Sequence, residues 1–225
     1  MAAAKGDAAA HHFMGQIYHF GLGVDKNDQE AISMFSKAIE LGNTDAYRFM
    51  GEFYFHGEGV NQDYKQAFIC FTKAAESENV EAQGFLAEMY YFGYGVSQDF
   101  KKAFNFYSKA AEKGDIESQA SLGWMYQQGE GVIKDHNQAL YWFKKAAELG
   151  DLLAINKLVI MYEYGSGGVS KNYKEAIFWT KLAVELGQNT YKEKLNKLEL
   201  LVNTKDEEVK KVKESLKLEI ERTYQ

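Results

Sequence analysis

A short loop of sequence Gly-x-Gly-Val returns along this chain at a fixed interval, and that interval limits the possible folds more than any other feature. It reads Gly21-Leu22-Gly23-Val24, Gly57-Glu58-Gly59-Val60, Gly93-Tyr94-Gly95-Val96 and Gly129-Glu130-Gly131-Val132, with a stretched fifth copy at Gly165-Ser166-Gly167-Gly168-Val169. The leading glycines stand 36 residues apart. Tyr18, Tyr54, Tyr90, Tyr126 and Tyr162 each sit three residues ahead of a loop, and Ala31, Ala67, Ala103, Ala139 and Ala176 recur behind it. A period of this size marks a solenoid, in which each unit is one supersecondary element that must stack on its neighbours to bury its apolar side.

The second copy shows what the unit is. Between Asp45 and His56, Ala46, Met50, Phe53 and Tyr54 are apolar at the spacing of one helix face, here named helix A. Gly57 supplies the left-handed stop and Gly59 lets the chain reverse, with Val60 expected to fill the gap between helices. Asp63 is then placed to cap a second helix through its carboxylate, as are Asn27, Asp99, Asp135 and Asn172 in the other copies. This helix B runs from Tyr64 to about Ser77 with Ala67, Phe68, Phe71, Ala74 and Ala75 inward. Small residues at Gly15, Gly51, Ala87 and Gly123 allow helices A and B to approach closely. The repeats fall at about 8–42, 43–78, 79–114, 115–150 and 151–187.

Three places depart from the pattern. In the fifth copy Val159 replaces the small residue, Thr180 replaces the aromatic at Phe143, and Gly168 reads as an insertion. Glu78 stands where Gly42, Gly114 and Gly150 end their helices, which predicts a looser corner there. Past Gly187 the loop signature stops: Tyr191, Leu195, Leu198 and Val202 read as one more helix A. Thr204-Lys205-Asp206-Glu207 then reads as the start of another helix carrying Val209, Val212, Leu216 and Ile220. Residues 188–225 are thus expected to be capping helices that shield the last repeat. A coiled-coil handle is the sharper alternative, but the apolar stripe is too short for it, so a monomer is favoured. At the other end, Ala2-Ala3-Ala4-Lys5-Gly6-Asp7 aligns with Ala110-Ala111-Glu112-Lys113-Gly114-Asp115, so the chain reads as starting inside a repeat, a piece of something longer.

Composition narrows the function. Forty-six per cent hydrophobic residues and no proline suit an all-α protein. The net charge of −6 with scattered lysines leaves no basic stripe for nucleic acid. The N-terminus lacks the apolar run of a signal peptide, and no later run is long enough to cross a bilayer. One cysteine rules out an internal disulfide and leaves the compartment open.

The pattern Ala-x3-Leu-Gly-x2-Tyr-x2-Gly-x-Gly-Val-x2-Asp-x3-Ala-x2-Trp-x3-Ala-Ala resembles the Sel1-like repeat, a relative of the tetratricopeptide repeat. The fourth copy carries it through Leu122-Gly123, Tyr126, Gly129, Gly131-Val132, Ala139, Trp142 and Ala146-Ala147. The resemblance covers roughly residues 8–187 and implies a right-handed superhelix of antiparallel helix pairs. It further implies a role as adaptor or scaffold, with helices A lining a concave groove. On that implication the groove columns are His12, Gln16, His19 and Phe20; Arg48, Glu52, Phe55 and His56; Gly84, Glu88, Tyr91 and Phe92; Ala120, Trp124, Gln127 and Gln128; and Asn156, Ile160, Glu163 and Tyr164. Phe55, Tyr91 and Trp124 are the candidate anchors, because aromatics dominate interface hot spots. Arg48 is the candidate for a partner carboxylate, Glu52 and Glu88 select among partners, and Gly84 and Ala120 are expected to leave room for a ligand side chain. The competing reading is that these rings simply pack against the next repeat.

No catalytic set emerges. The Gly-x-Gly loops follow helices, whereas a nucleotide fingerprint needs a preceding strand. His12, His19 and His56 lack the converging partners of a zinc site. Cys70 sits in the column of Met34, Phe106, Trp142 and Trp179 as a buried filler, and the acidic run at Asp206 is a helix start. The sequence therefore predicts a non-catalytic scaffold that needs neither cofactor nor metal and binds a peptide or protein in its groove. The alternative is an accessory subunit of an enzyme complex engaged through the C-terminal helix.

Overall fold

The structure, a computed structural model, describes residues 7–223. Among these residues every regular element is helical: α1 (Ala8–Phe20), α2 (Asp28–Glu40), α3 (Ala46–His56), α4 (Tyr64–Glu76), α5 (Val80–Phe92), α6 (Phe100–Glu112), α7 (Ile116–Gln128), α8 (His136–Glu148), α9 (Leu152–Tyr164), α10 (Tyr173–Glu185) and α11 (Tyr191–Thr223). They form two compact units, Met1–Lys134 and Asp135–Gln225. In the first, α1 packs on α2, α3 on α4 and α5 on α6 as repeat pairs, and α2 meets α3, α4 meets α5 and α6 meets α7 between repeats. In the second, α8, α9, α10 and α11 pack in sequence order.

The loops are built as the sequence dictates. Gly57 has φ +73°, and the N–H groups of Gly57 and Glu58 both reach the Phe53 carbonyl, at 2.9 and 3.1 Å. Asn27, Asp63 and Asp99 cap α2, α4 and α6 through side-chain oxygens, and Asp135 and Asn172 do so for α8 and α10. The cap N–H also closes the loop: Asp63 donates to the Tyr54 carbonyl at 2.8 Å, and Asn27 and Asp99 do the same to Tyr18 and Tyr90. Val60 is half-buried against the cluster of Phe35, Phe49 and Phe53.

The second glycine of each loop has a task that only the packing reveals. A Cβ on Gly95 would lie 2.7 Å from the Tyr64 backbone, and one on Gly131 would lie 2.1 Å from the Phe100 carbonyl oxygen. Each loop after the first therefore rests on the first turn of the preceding helix B, whereas Gly23 meets open space. Within a repeat, a Cβ on Gly15 or Gly51 would strike the Phe35 or Phe71 ring at 2.7 and 2.5 Å, so these glycines seat the aromatic of helix B directly on helix A. Between repeats that same ring stacks on a phenylalanine of the next helix A. Phe35 and Phe49 have centroids 4.5 Å apart at 9°, and Phe71 and Phe85 have centroids 4.5 Å apart at 4°. Offset aromatic pairs add about 0.5–1.5 kcal/mol beyond the area they bury.

Two expectations are corrected and a third is met in part. The corner at Glu78 is formed as in its counterparts but closes less tightly: Glu78 itself adopts φ +61°, the Asn79 N–H reaches the Ala74 carbonyl at 3.3 Å against 2.8 Å for Asn43 on Ala38 and 3.0 Å for Asp115 on Ala110, and Lys113 pairs with the Glu78 carboxylate at 3.0 Å. In the fifth loop Gly168 is no insertion. It occupies the resting position of Gly131, with its Cβ direction 2.6 Å from His136 Cβ, so the extra residue lies earlier, within Ser166-Gly167. The helix start read at Thr204 does not occur, because Tyr191–Thr223 is a single helix. The Thr204 hydroxyl donates backward to the Leu200 carbonyl at 3.0 Å, as a mid-helix threonine does. Leu198 is fully buried and α11 packs on α10, while Val212 is exposed. The side chains of Val209, Leu216 and Ile220, like the Ala2–Gly6 stretch, lie outside the described residues.

These contacts set a measurable hierarchy. Gly131→Ala should destabilise by about 2–4 kcal/mol, combining left-handed strain with the carbonyl clash. Gly23→Ala, which meets open space, should lose only about 1 kcal/mol. Urea unfolding of both variants checks the difference; equal losses would show that the loop does not rest on helix B. Glu78→Gly should raise Tm, since it relieves the left-handed conformation and loses only an exposed ion pair.

Candidate functional site

The helix A faces of α1, α3, α5 and α7 lie in the first unit, and reading the 36-residue columns across them locates one irregularity. The stacking ring of helix B is Phe35, Phe71 and then Tyr107; its partner on the next helix A is Phe49, Phe85 and then Ser121. At this third junction the small Ser121 side chain stands where the stacking phenylalanine would be. The space that a third phenylalanine ring would fill is open: a cavity of about 300 Å³ is lined by Tyr91, Phe92, Tyr107, Ser121 and Trp124. Its size is at the lower end for ligand pockets.

The same column logic explains which predicted anchors stand at the surface. Phe55 is buried, with the Phe85 ring 5.4 Å away, Tyr64 at 5.3 Å and Tyr94 at 5.9 Å. The packing reading holds for it, and it offers a partner nothing. Tyr91 occupies the same column one repeat later, where Ser121 has no ring to cover it, and it remains half-buried. Its hydroxyl donates to Glu130 Oε2 at 2.6 Å, and the ring meets Phe92 at 4.8 Å and Phe100 at 5.2 Å. Burial first, then the Glu130 carboxylate, pushes the Tyr91 phenol up to about 12. Phe92 is 54% exposed and stacks on Tyr94, and Trp124 is 40% exposed, so both present ring surface.

The charged candidates divide likewise. Arg48 Nη1 pairs with Glu52 Oε1 at 2.5 Å, and its guanidinium lies 3.6 Å over the Phe49 ring. It is thus engaged within its own helix. Glu88 is in the Glu52 column but has Gly84 one turn before it, in the place of Arg48. Burial raises its pKa, the nearby Glu117 carboxylate adds to that, and His56 opposes it. Burial likewise raises the Tyr107 phenol, and the charges of Glu88, Tyr91 and Glu117 reinforce the shift. His56 and Gln128 are exposed, while Gln127 is buried with its Oε1 lacking a hydrogen-bond partner within the protein. Asn156 is half-buried on α9 in the second unit. Gly84 and Ala120 do not make the room expected of them: a Cβ on Gly84 would meet Ser118 Oγ at 3.4 Å, and Ala120 is buried.

One grouping went unseen in the sequence. His19, Asp28 and Glu58 place three ligand-type atoms within 4.8 Å of one another. The Asp28 carboxylate is already matched by His19 Nδ1 at 3.1 Å and Lys26 Nζ at 3.2 Å. It reads as an internal ion-pair knot with one exposed glutamate. Cys70 is buried and its thiol is pushed up to about 11 by that burial, as a filler residue would be.

Capped helix pairs recurring every 36 residues, the first two seating a phenylalanine on the next repeat, define the chain as a helical repeat protein of the tetratricopeptide-like class. The Sel1 repeat family model matches at residues 8–43, 44–79, 80–115, 116–151 and 152–188, and the chain belongs to that family. Among solved structures, it is similar to c5321, described as a protective antigen present in uropathogenic Escherichia coli strains and displaying an SLR fold. The identity is 36% and the TM-score 0.78, over 86% of this chain and 41% of that one. The chain thus spans about two fifths of the E. coli protein. A Sel1 repeat protein from Oxalobacter formigenes is also 36% identical, with TM-score 0.75 over 82% of this chain and 76% of that one. A Sel1 repeat protein described as from Klebsiella pneumoniae shares the fold at 22% identity and TM-score 0.56, over 88% of this chain and 96% of that one. No match was found among curated proteins. Among the described residues, no helix is long and apolar enough to cross a membrane.

The Glu88 carboxyl gives a direct test of the site's electrostatics. Its folded-state pKa lies above the ordinary value, so ionising it opposes folding, and stability falls as pH rises through the window between the unfolded and folded values. Glu88→Gln should therefore melt higher than the parent at pH 7, with the advantage vanishing below pH 4, where the parent is protonated in both states. Thermal melts across that range would reveal the opposite sign if Glu88 were instead held by a cation.

Proposed function

We infer that this chain is a non-catalytic interaction scaffold that holds a peptide or protein surface on the helix A face of its second to fourth repeats. Sel1 repeats generally serve protein–protein interaction, and the observation that carries the reading here is the open aromatic pocket between Tyr91, Phe92 and Trp124. Half-exposed Trp and Tyr rings around a partly formed pocket are the anchors that interface energetics favour. The exposed His56 and Gln128 beside them supply polar contacts of a rim. Affinity comes from burying the rings, and Glu88 discriminates by charge. Glu52 is neutralised by Arg48 and adds less.

The test is a pull-down from extract of the source cells, with the parent chain and the Tyr91→Ala/Trp124→Ala variant as baits and circular dichroism confirming both folds. A partner retained by the parent should be lost by the variant, its affinity falling at least about tenfold, since two interface aromatics of this kind carry more than about 1.4 kcal/mol between them. Equal retention moves the site elsewhere. The second reading, engagement through α11, is favoured by the length of that helix: its 33 residues span about 50 Å, against about 20 Å for the 13 of α10. Removing residues 204–225 should leave binding intact on the first reading and abolish it on the second.

A further inference from the structure

We propose that the pocket at the third repeat junction receives one cationic side chain of a partner, best an arginine, with the guanidinium against the Tyr91, Phe92 and Trp124 rings and between the Glu88 and Glu117 carboxylates. The proposal rests on the scaffold reading and specifies what the scaffold grips.

Three features of the site favour a cation. The walls are aromatic, and aromatic faces attract cations, arginine above all because its planar group also stacks. Two carboxylates act on the pocket from beyond its lining residues. Glu88 lies one turn before Phe92 on α5, and Glu117 lies one turn before Ser121 and two before Trp124 on α7, so helical spacing puts each on the face of a pocket-lining residue. Both also act electrostatically on the pocket's Tyr107. Finally, the local cation has been removed: Glu52 carries Arg48 on its own helix, whereas Glu88 has Gly84, and among the described residues no ion pair neutralises Glu88. The space comes from the missing phenylalanine at Ser121, and the missing arginine at Gly84 leaves Glu88 without the helical cation that Glu52 has. Glu130, held by the Tyr91 hydroxyl at 2.6 Å, fixes the orientation of one wall and adds a further carboxylate near the mouth.

The test uses the purified full chain and two probes of nearly identical shape, N-acetyl-arginine amide and N-acetyl-citrulline amide, with binding followed through the Trp124 indole N–H resonance. The arginine probe should shift that resonance saturably, and the citrulline probe should bind at least about tenfold more weakly, because it lacks the charge. Ser121→Phe restores the phenylalanine of the Phe49 and Phe85 column, fills the pocket without breaking the helix pattern, and should abolish the response. Should that variant fail to fold by circular dichroism, Glu88→Gln/Glu117→Gln leaves the space open and should weaken the arginine probe about tenfold. Equal binding of the two probes, or an undiminished response in either variant, overturns the cation pocket. The two readings fail separately. A partner lost on Tyr91→Ala/Trp124→Ala with no preference for arginine keeps the scaffold and sinks the cation, whereas arginine selectivity with an unaffected partner keeps the pocket and moves the scaffold site.

Discussion

The contact on which the rest of the molecule depends is the ring that crosses from one repeat to the next. A helix pair of about 26 residues has an apolar face it cannot bury alone, so every repeat is stable only through its neighbour. Phe35 and Phe71 reach across that gap, each lying on a glycine of its own repeat and against a phenylalanine of the next. The glycine and the two rings form one unit: a Cβ on Gly51 would displace Phe71, and a displaced Phe71 could not stack on Phe85. The loop adds a second tie, since Gly95 and Gly131 rest on the backbone that opens the preceding helix B.

That dependence makes the third junction informative. Tyr107 and Ser121 both line the pocket there, and ring-on-ring contact is given up. What is forgone beyond buried area is about 0.5–1.5 kcal/mol for one aromatic pair. The loss is local because a solenoid repeat touches only its neighbours, and a cavity at one junction leaves the others packed. A globular core would transmit the same deletion through many contacts.

Much of the fold was legible in the sequence because its instructions are local. Gly57, Asp63 and their counterparts act through their own φ angle or their own side-chain oxygen, and spacing alone identifies them. What stayed hidden depends on distant residues. Gly168 looked surplus until its neighbour His136 was known, and Glu78 marked a looser corner without showing that it takes a left-handed φ as glycine does. Thr204 has the sequence of a helix start, but a helix already running through it has no free N–H groups to cap. Its hydroxyl turns back to Leu200 instead.

The candidate site shows the same division. Column arithmetic placed Tyr91, Phe92 and Trp124 on the helix A face, yet it ranked Phe55 beside them and gave Arg48 to a partner. Phe55 is covered by a ring of the next repeat, Phe85, which one helix alone does not show, whereas the Arg48–Glu52 pair lies four residues apart on one helix and was readable from spacing. The decisive signal was present at Phe49, Phe85 and Ser121, three positions 36 apart whose sizes read large, large, small. In a repeat protein the residues that keep the period build the structure, and the informative positions are those that break it toward a smaller side chain. Such a break costs packing energy at that junction. Gly84, which stands where Arg48 stands one repeat earlier, breaks the period in a second, independent column, and it leaves Glu88 without a helical cation one turn before the pocket's Phe92.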